Sequence, residues 1–110
     1  MVDAKKGGTI FTRDLISGNR GVLRIEAVKG LGEKVVDGTT RFHSIVLYNR
    51  RTNSYRFEDP KIKSTLSDEE IQSLIDFGIM IEERLKEGPQ DIEWAINRSG
   101  KIVILQTRPL

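Results

Sequence analysis

Two apolar arms joined by a polar turn restrict the fold of this 110-residue chain more than any other segment. Asp91-Ile92-Glu93-Trp94-Ala95-Ile96 and Lys101-Ile102-Val103-Ile104-Leu105-Gln106-Thr107-Arg108 flank Asn97-Arg98-Ser99-Gly100. The arms are rich in β-branched, aromatic and aliphatic residues, and Gly100 can supply a positive φ, so the segment reads as a β-hairpin. Pairing residue 96 with 101 sets Asp91 opposite Gln106 and Glu93 opposite Ile104. Strand side chains alternate between faces, which puts Asp91, Glu93, Gln106 and Arg108 on one face and Ile92 and Trp94 on the other. A slip of one residue would part the acids from the amide, so this expectation depends on register. Carboxylate and carboxamide oxygens are hard ligands that suit Mg²⁺, and Arg108 adds a planar fork for a phosphoryl group. The same four residues also suit a plain salt-bridged sheet face.

Further strands are expected over residues 8–13, 22–28, 44–48 and 54–58. Asn49-Arg50-Arg51-Thr52-Asn53 makes a hairpin of the last two, and a turn is expected around residues 17–21. One helix stands out. Ser67 is its N-cap, Glu70 completes a capping box, and Asp68, Glu69 and Glu70 complement the positive helix end. Ile71, Leu74, Ile75, Gly78, Ile81 and Leu85 recur at helical spacing, and Gly88-Pro89 marks the stop. This is a core-packing helix, and it buttresses the hairpin. Residues 59–66 form the one linker. The fold class is α+β, a mostly antiparallel sheet packed with one long α-helix, in a single domain over residues 1–110. A chain of this length buries roughly 60–70% of its unfolded surface.

Charge and composition exclude several functions. Eighteen basic and 16 acidic residues leave a net charge of +2, and Asn49-Arg50-Arg51 is too short a basic run for a nucleic-acid surface. There is no cysteine, hence no disulfide or thiolate metal site, which fits a cytoplasmic protein. No apolar stretch approaches the 18 or so residues of a membrane span. Neither nucleic acid nor membrane is an expected partner.

Pro89-Gln90-Asp91-Ile92-Glu93-Trp94-Ala95, followed by Ile104-Leu105-Gln106-Thr107-Arg108-Pro109, closely resembles the end of the nucleotide-binding domain of phosphoenolpyruvate synthase and pyruvate, phosphate dikinase. Two more blocks agree in order. Gly8-Thr9-Ile10-Phe11-Thr12-Arg13-Asp14 with Ser17-Gly18 resembles the family's Phe-Thr-Arg-Asp-Pro segment, and Gly30-Leu31-Gly32-Glu33 its Gly-Leu-Gly-Glu segment. The resemblance implies the second lobe of an ATP-grasp domain. It further implies ATP and Mg²⁺ as cofactors, with Glu93 and Gln106 as metal ligands. Asp91 is implied to orient the metal–phosphate shell or to act from behind it, and Arg108 to hold the transferred phosphoryl group or inorganic phosphate.

Glu33 falls where the family has a polar nucleotide-site residue, although a tight glycine turn explains that block as well. These glycines lack the Gly-x-Gly-x-x-Gly spacing of a dinucleotide fingerprint. Thr12 and Arg13 are expected to face the phosphates. His43 is not the family's phosphorylated histidine, which belongs to another domain. His43 and Leu15 depart from the family pattern in connecting segments, and Trp94 reads as a core anchor in preference to an adenine-stacking group.

Met1-Val2-Asp3-Ala4 resembles a stretch that the family carries inside its chain, and Leu110 falls where the family continues, so a piece of a longer enzyme is expected. Its partners would be the other ATP-grasp lobe and the phosphohistidine domain. Other readings are the same module in a dikinase with a glucan or antibiotic acceptor, or a non-catalytic interaction module that keeps the fold.

Overall fold

The apolar runs pair into a six-stranded sheet. A computed structural model describes residues 4–14, 17–19, 21–29, 44–61 and 64–110. The strands are β1 (Ala4–Phe11), β2 (Val22–Lys29), β3 (Ser44–Asn49), β4 (Ser54–Phe57), β5 (Gln90–Asn97) and β6 (Ile102–Pro109), and helix α1 is Asp68–Leu85. The sheet order is β4-β3-β2-β1-β5-β6, antiparallel at every junction. The expected α+β class, a mostly antiparallel sheet with one long helix, is the observed one. The Gly30-Leu31-Gly32-Glu33 block and His43 lie outside the described residues, as does Leu15.

β1 holds the two halves of the sheet together, pairing with β2 on one side and β5 on the other. It begins four residues before the expected start and ends at Phe11 instead of residue 13. Partners on both sides hold Lys6 and Gly7 in the strand despite their low strand propensity, and Ala4 still pairs with Asn97 beyond a register shift. At its other end the chain leaves the ladder for a turn in which Asp14 bridges Asn19 and Gly18 adopts φ 75°.

Alternation divides the sheet into two faces. Ile10, Leu23, Ile25, Val46, Ile92, Trp94 and Ile96 point to the side covered by α1, where they are 0–1% exposed. Ile71, Leu74, Ile75 and Gly78 are the buried positions of α1. Gly78 is the point of close approach: a Cβ there would sit 3.0 Å from Leu23 Cδ1 and 3.2 Å from Ile10 Cγ2.

The capping box forms as the sequence predicts. Glu70 N–H donates to Ser67 Oγ, and Ser67 N–H donates to Glu70 Oε1. That carboxylate also accepts from Lys6 Nζ at 2.8 Å, tying the start of the helix to β1. The helix stops at Leu85, before the expected Gly88-Pro89. Lys86 takes the left-handed conformation at φ 55°, and Gly88, at φ 81°, turns the chain into β5.

Candidate functional site

β5 and β6 place four polar side chains on the face opposite α1. The register differs from the expected one in two places. Asn97 stays in the ladder, donating to Lys101 O at 3.0 Å, while its side-chain Oδ1 accepts from Ser99 N–H and Lys101 N–H. Gly100 at φ 86° completes a three-residue loop, so Ile96 pairs with Ile102, not with residue 101. A β-bulge then follows between Glu93 and Trp94: Trp94 lies opposite Ile104 and Glu93 opposite Gln106, leaving Leu105 as the extra residue. Asp91 consequently faces Arg108 instead of Gln106, and Glu93 faces Gln106 instead of Ile104. Both pairs occupy the face away from buried Ile92 and Trp94.

The two pairs differ in state. Arg108 Nε donates to Asp91 Oδ2 at 3.1 Å, whereas the buried Asp91 Oδ1 has no partner. Among the described residues, Glu93 and Gln106 have no side-chain hydrogen bond or ion pair, and both are exposed. Directly opposed strand residues have Cβ atoms about 4.5–5.5 Å apart, within reach of a single cation between their oxygens. A carboxylate and a carboxamide with unspent lone pairs fit Mg²⁺, which takes one or two protein oxygens and completes its shell with phosphate and water. Asp91, with one oxygen held by Arg108 and the other unpartnered, fits the rim of such a shell. No group of three His, Cys, Asp or Glu side chains among the described residues is placed to hold a metal unaided.

The Phe11-Thr12-Arg13 block does something else. Thr12 is fully buried, so it does not face phosphates as expected. Its Oγ1 donates to Glu82 Oε2 at 2.7 Å and accepts from Gln90 N–H at 2.7 Å. Arg13 Nε and Nη2 donate to Glu82 at 3.1 and 2.9 Å, so its guanidinium is engaged with α1. Gln90 continues the network, accepting from Thr107 Oγ1 at 3.1 Å, one residue from Arg108. Glu82 thus fixes the end of the hairpin that carries Asp91 and Arg108. Nothing local in the sequence marks Glu82, whose partners lie about 70 residues away.

Burial works to raise the Glu82 carboxyl pKa, but the bonds from Arg13 and Thr12 and the charges of Arg13 and Arg50 prevail and hold it below its ordinary 4.5. With the folded value depressed, Glu82 contributes stability that is present above the ordinary value and lost as pH falls through the folded one. Denaturation midpoints followed from about pH 6 down to about pH 3 should therefore drop less steeply for Glu82→Gln than for the unaltered chain. Identical acid limbs would remove Glu82 from this role.

Other observations complete the setting. Trp94 is 1% exposed, the core anchor expected of it. A cavity of about 560 Å³ lies over β2, β3 and β4, lined by Asp14, Arg24, Asn49 and Arg56 among others, and contains none of the four hairpin residues. No helix among the described residues is long and apolar enough to cross a membrane.

Comparison with known proteins gives the geometry a context. The family model for the pyruvate phosphate dikinase AMP/ATP-binding domain matches in two overlapping segments, residues 1–64 and 43–110. Over its whole length the chain is 36% identical to a probable phosphoenolpyruvate synthase of Archaeoglobus fulgidus and 34% identical to one of Methanocaldococcus jannaschii. It is also 33% identical to the rifampicin phosphotransferase of Bacillus subtilis. The chain spans 17%, 11% and 15% of these relatives, respectively. Its antiparallel sheet with one helix is compatible with an ATP-grasp lobe. By sequence, the chain belongs to the pyruvate phosphate dikinase AMP/ATP-binding domain family.

Proposed function

We propose that this chain forms one wall of an ATP site in a phosphoenolpyruvate synthase type of phosphotransferase. In such an enzyme ATP phosphorylates a histidine on another domain, and the phosphoryl group passes on to pyruvate. The supporting observation is the Glu93–Gln106 pair: directly opposed, unpartnered and exposed on the helix-free face, beside Asp91 and Arg108. Glu93 and Gln106 would hold Mg²⁺, which when bound neutralises phosphate charge. Arg108, 65% exposed, offers its remaining N–H groups to a phosphoryl oxygen while Asp91 fixes the direction of its fork. Transfer of this kind depends on positioning and charge, and the preorganised pairs of the sheet supply both. Arg13 joins the site if a triphosphate draws its guanidinium away from Glu82, and Glu33 is assigned to the same site by resemblance alone.

One wall is not a whole site. The reading assigns the opposing cations and the acceptor histidine to a second ATP-grasp lobe and a phosphohistidine domain of a cytoplasmic parent enzyme, with residues 1–110 as one domain of it. A similarity of 33% to a rifampicin phosphotransferase supports an acceptor set elsewhere in the parent, since the nucleotide half resembles proteins named for different acceptors.

The test is an NMR titration of the 110-residue chain with Mg·ATP, run beside a phosphoryl-transfer assay. Mg²⁺-dependent shifts centred on Asp91, Glu93, Gln106 and Arg108, and reaching no further than Arg13 and Glu33, are expected. A site lacking half its contacts should saturate only around millimolar ATP, and no stable phosphoprotein should form. Micromolar binding, phosphorylation of His43, or shifts that leave the four hairpin residues unmoved would overturn the half-site reading.

A further inference from the structure

The outer face carries a row of polar side chains across four neighbouring strands: Glu26 on β2, Thr9 on β1, Glu93 on β5 and Gln106 on β6, each directly opposite the next. At one end of the row, Glu26 Oε2 accepts from Arg24 Nε at 2.8 Å. Along the neighbouring row, Asp91 takes Arg108. Apart from these ion pairs, Thr9, Glu93 and Gln106 lack side-chain partners among the described residues, and Thr9 Oγ1 is buried as well. A buried hydroxyl without a partner destabilises the fold, so its retention needs a reason. A structural strand position of this kind is served better by Val, which matches Thr in shape and pairs as well in a sheet.

We propose that Thr9 is a positioning residue for Glu93: its hydroxyl donates to the Glu93 carboxylate when that carboxylate holds a divalent cation with Gln106. This rests on the metal role proposed above for the Glu93–Gln106 pair. Of the two carboxylates flanking Thr9, Glu26 is already engaged by Arg24, and Glu93 has its lone pairs unspent. A carboxylate that gives one lone pair to a cation keeps others for a hydrogen bond. Such a bond fixes its orientation and typically raises metal affinity 10–100-fold. The proton stays on Thr9 throughout, so charge and composition of the site are unchanged.

Mn²⁺ with ATP, added to the 110-residue chain, is the probe, and the readout is paramagnetic broadening of the Glu93 and Gln106 amide resonances. In Thr9→Val the half-saturating concentration should rise about tenfold or more, in Thr9→Ser by less than about threefold. The thermal midpoint of Thr9→Val should be equal to or above that of the unaltered chain, because the orphaned hydroxyl is gone. Weaker cation binding with undiminished stability is a combination that a purely structural threonine does not produce. Selective broadening that is the same in Thr9→Val as in the unaltered chain would overturn the role of Thr9 and leave the metal pair standing. Absence of selective broadening in the unaltered chain would overturn both. A Thr9→Val chain that binds weakly only because its midpoint has dropped would return Thr9 to a structural role.

Discussion

On the proposed function, Glu93→Gln in a full-length enzyme containing this chain should lower the ATP-dependent half-reaction about a hundredfold or more, since even groups behind metal ligands are worth 10–100-fold. The substitution keeps the size and hydrogen-bonding capacity of the side chain and removes one negative charge from the hairpin face. On the same reading, that charge would be the principal hold on a cation at this point, because Gln106 opposite is neutral and Asp91 is engaged by Arg108. Exchange between pyruvate and phosphoenolpyruvate, measured on enzyme already phosphorylated at histidine, should be unaltered, as the proposed function assigns it to a different site. Glu69→Gln, on the exposed first turn of α1, serves as the control for charge alone. An equal fall in both half-reactions would mean that Glu93 supports the structure of the enzyme and has no special part in its nucleotide chemistry.

Gly8→Ala should destabilise the chain by about 3 kcal/mol or more, at or beyond the upper end of typical overpacking costs. A Cβ at residue 8 would stand 1.8 Å from Glu26 O and 2.9 Å from Glu26 C, both backbone atoms of the neighbouring strand. β1 cannot retreat, because its other edge is paired with β5. Gly78→Ala makes the comparison instructive. Its Cβ meets only the ends of Leu23 and Ile10, which can shift by tenths of an ångström, and the helix gains about 1 kcal/mol of propensity. Urea denaturation should therefore show a large loss for one alanine and a change within about 1 kcal/mol for the other. A Gly8→Ala loss below about 0.5 kcal/mol would contradict the β1–β2 register, given that overpacking normally costs 1–3 kcal/mol.

The parts of the fold that could be read from the residues are those with local causes. Ser67 and Glu70 announce the helix start because the two groups that satisfy each other are three residues apart. The hairpin is visible in its apolar arms and in Asn97 and Gly100. Its register is not, because Ile102-Val103-Ile104-Leu105 is an unbroken apolar run with no alternation to favour one pairing over the next. Thr9 was within reach: a strand containing Ile10 on its inner side must turn Thr9 to the outer one. Thr12 was not, since its burial follows from Glu82 at the far end of a helix and from Gln90 at the start of β5. The geometry of the Glu93–Gln106 pair is on the same footing as the register, legible only once the strands are in place.

The bulge at Glu93/Trp94 makes the site a matter of parity. Continuing the pairing of Trp94 with Ile104 without interruption would set Glu93 against Leu105 and bring Gln106 opposite Ile92, on the core side. One additional residue reverses the sense of every position after it and delivers Gln106 and Arg108 to the face of the acids. Leu105 supplies that residue with its side chain 48% exposed, so its backbone is what the site requires and its identity hardly matters. The arm can therefore accept many substitutions at this position but no insertion or deletion of a single residue: the five residues between Gly100 and Gln106 turn the amide to the face of the acids, and four or six would turn it toward the core.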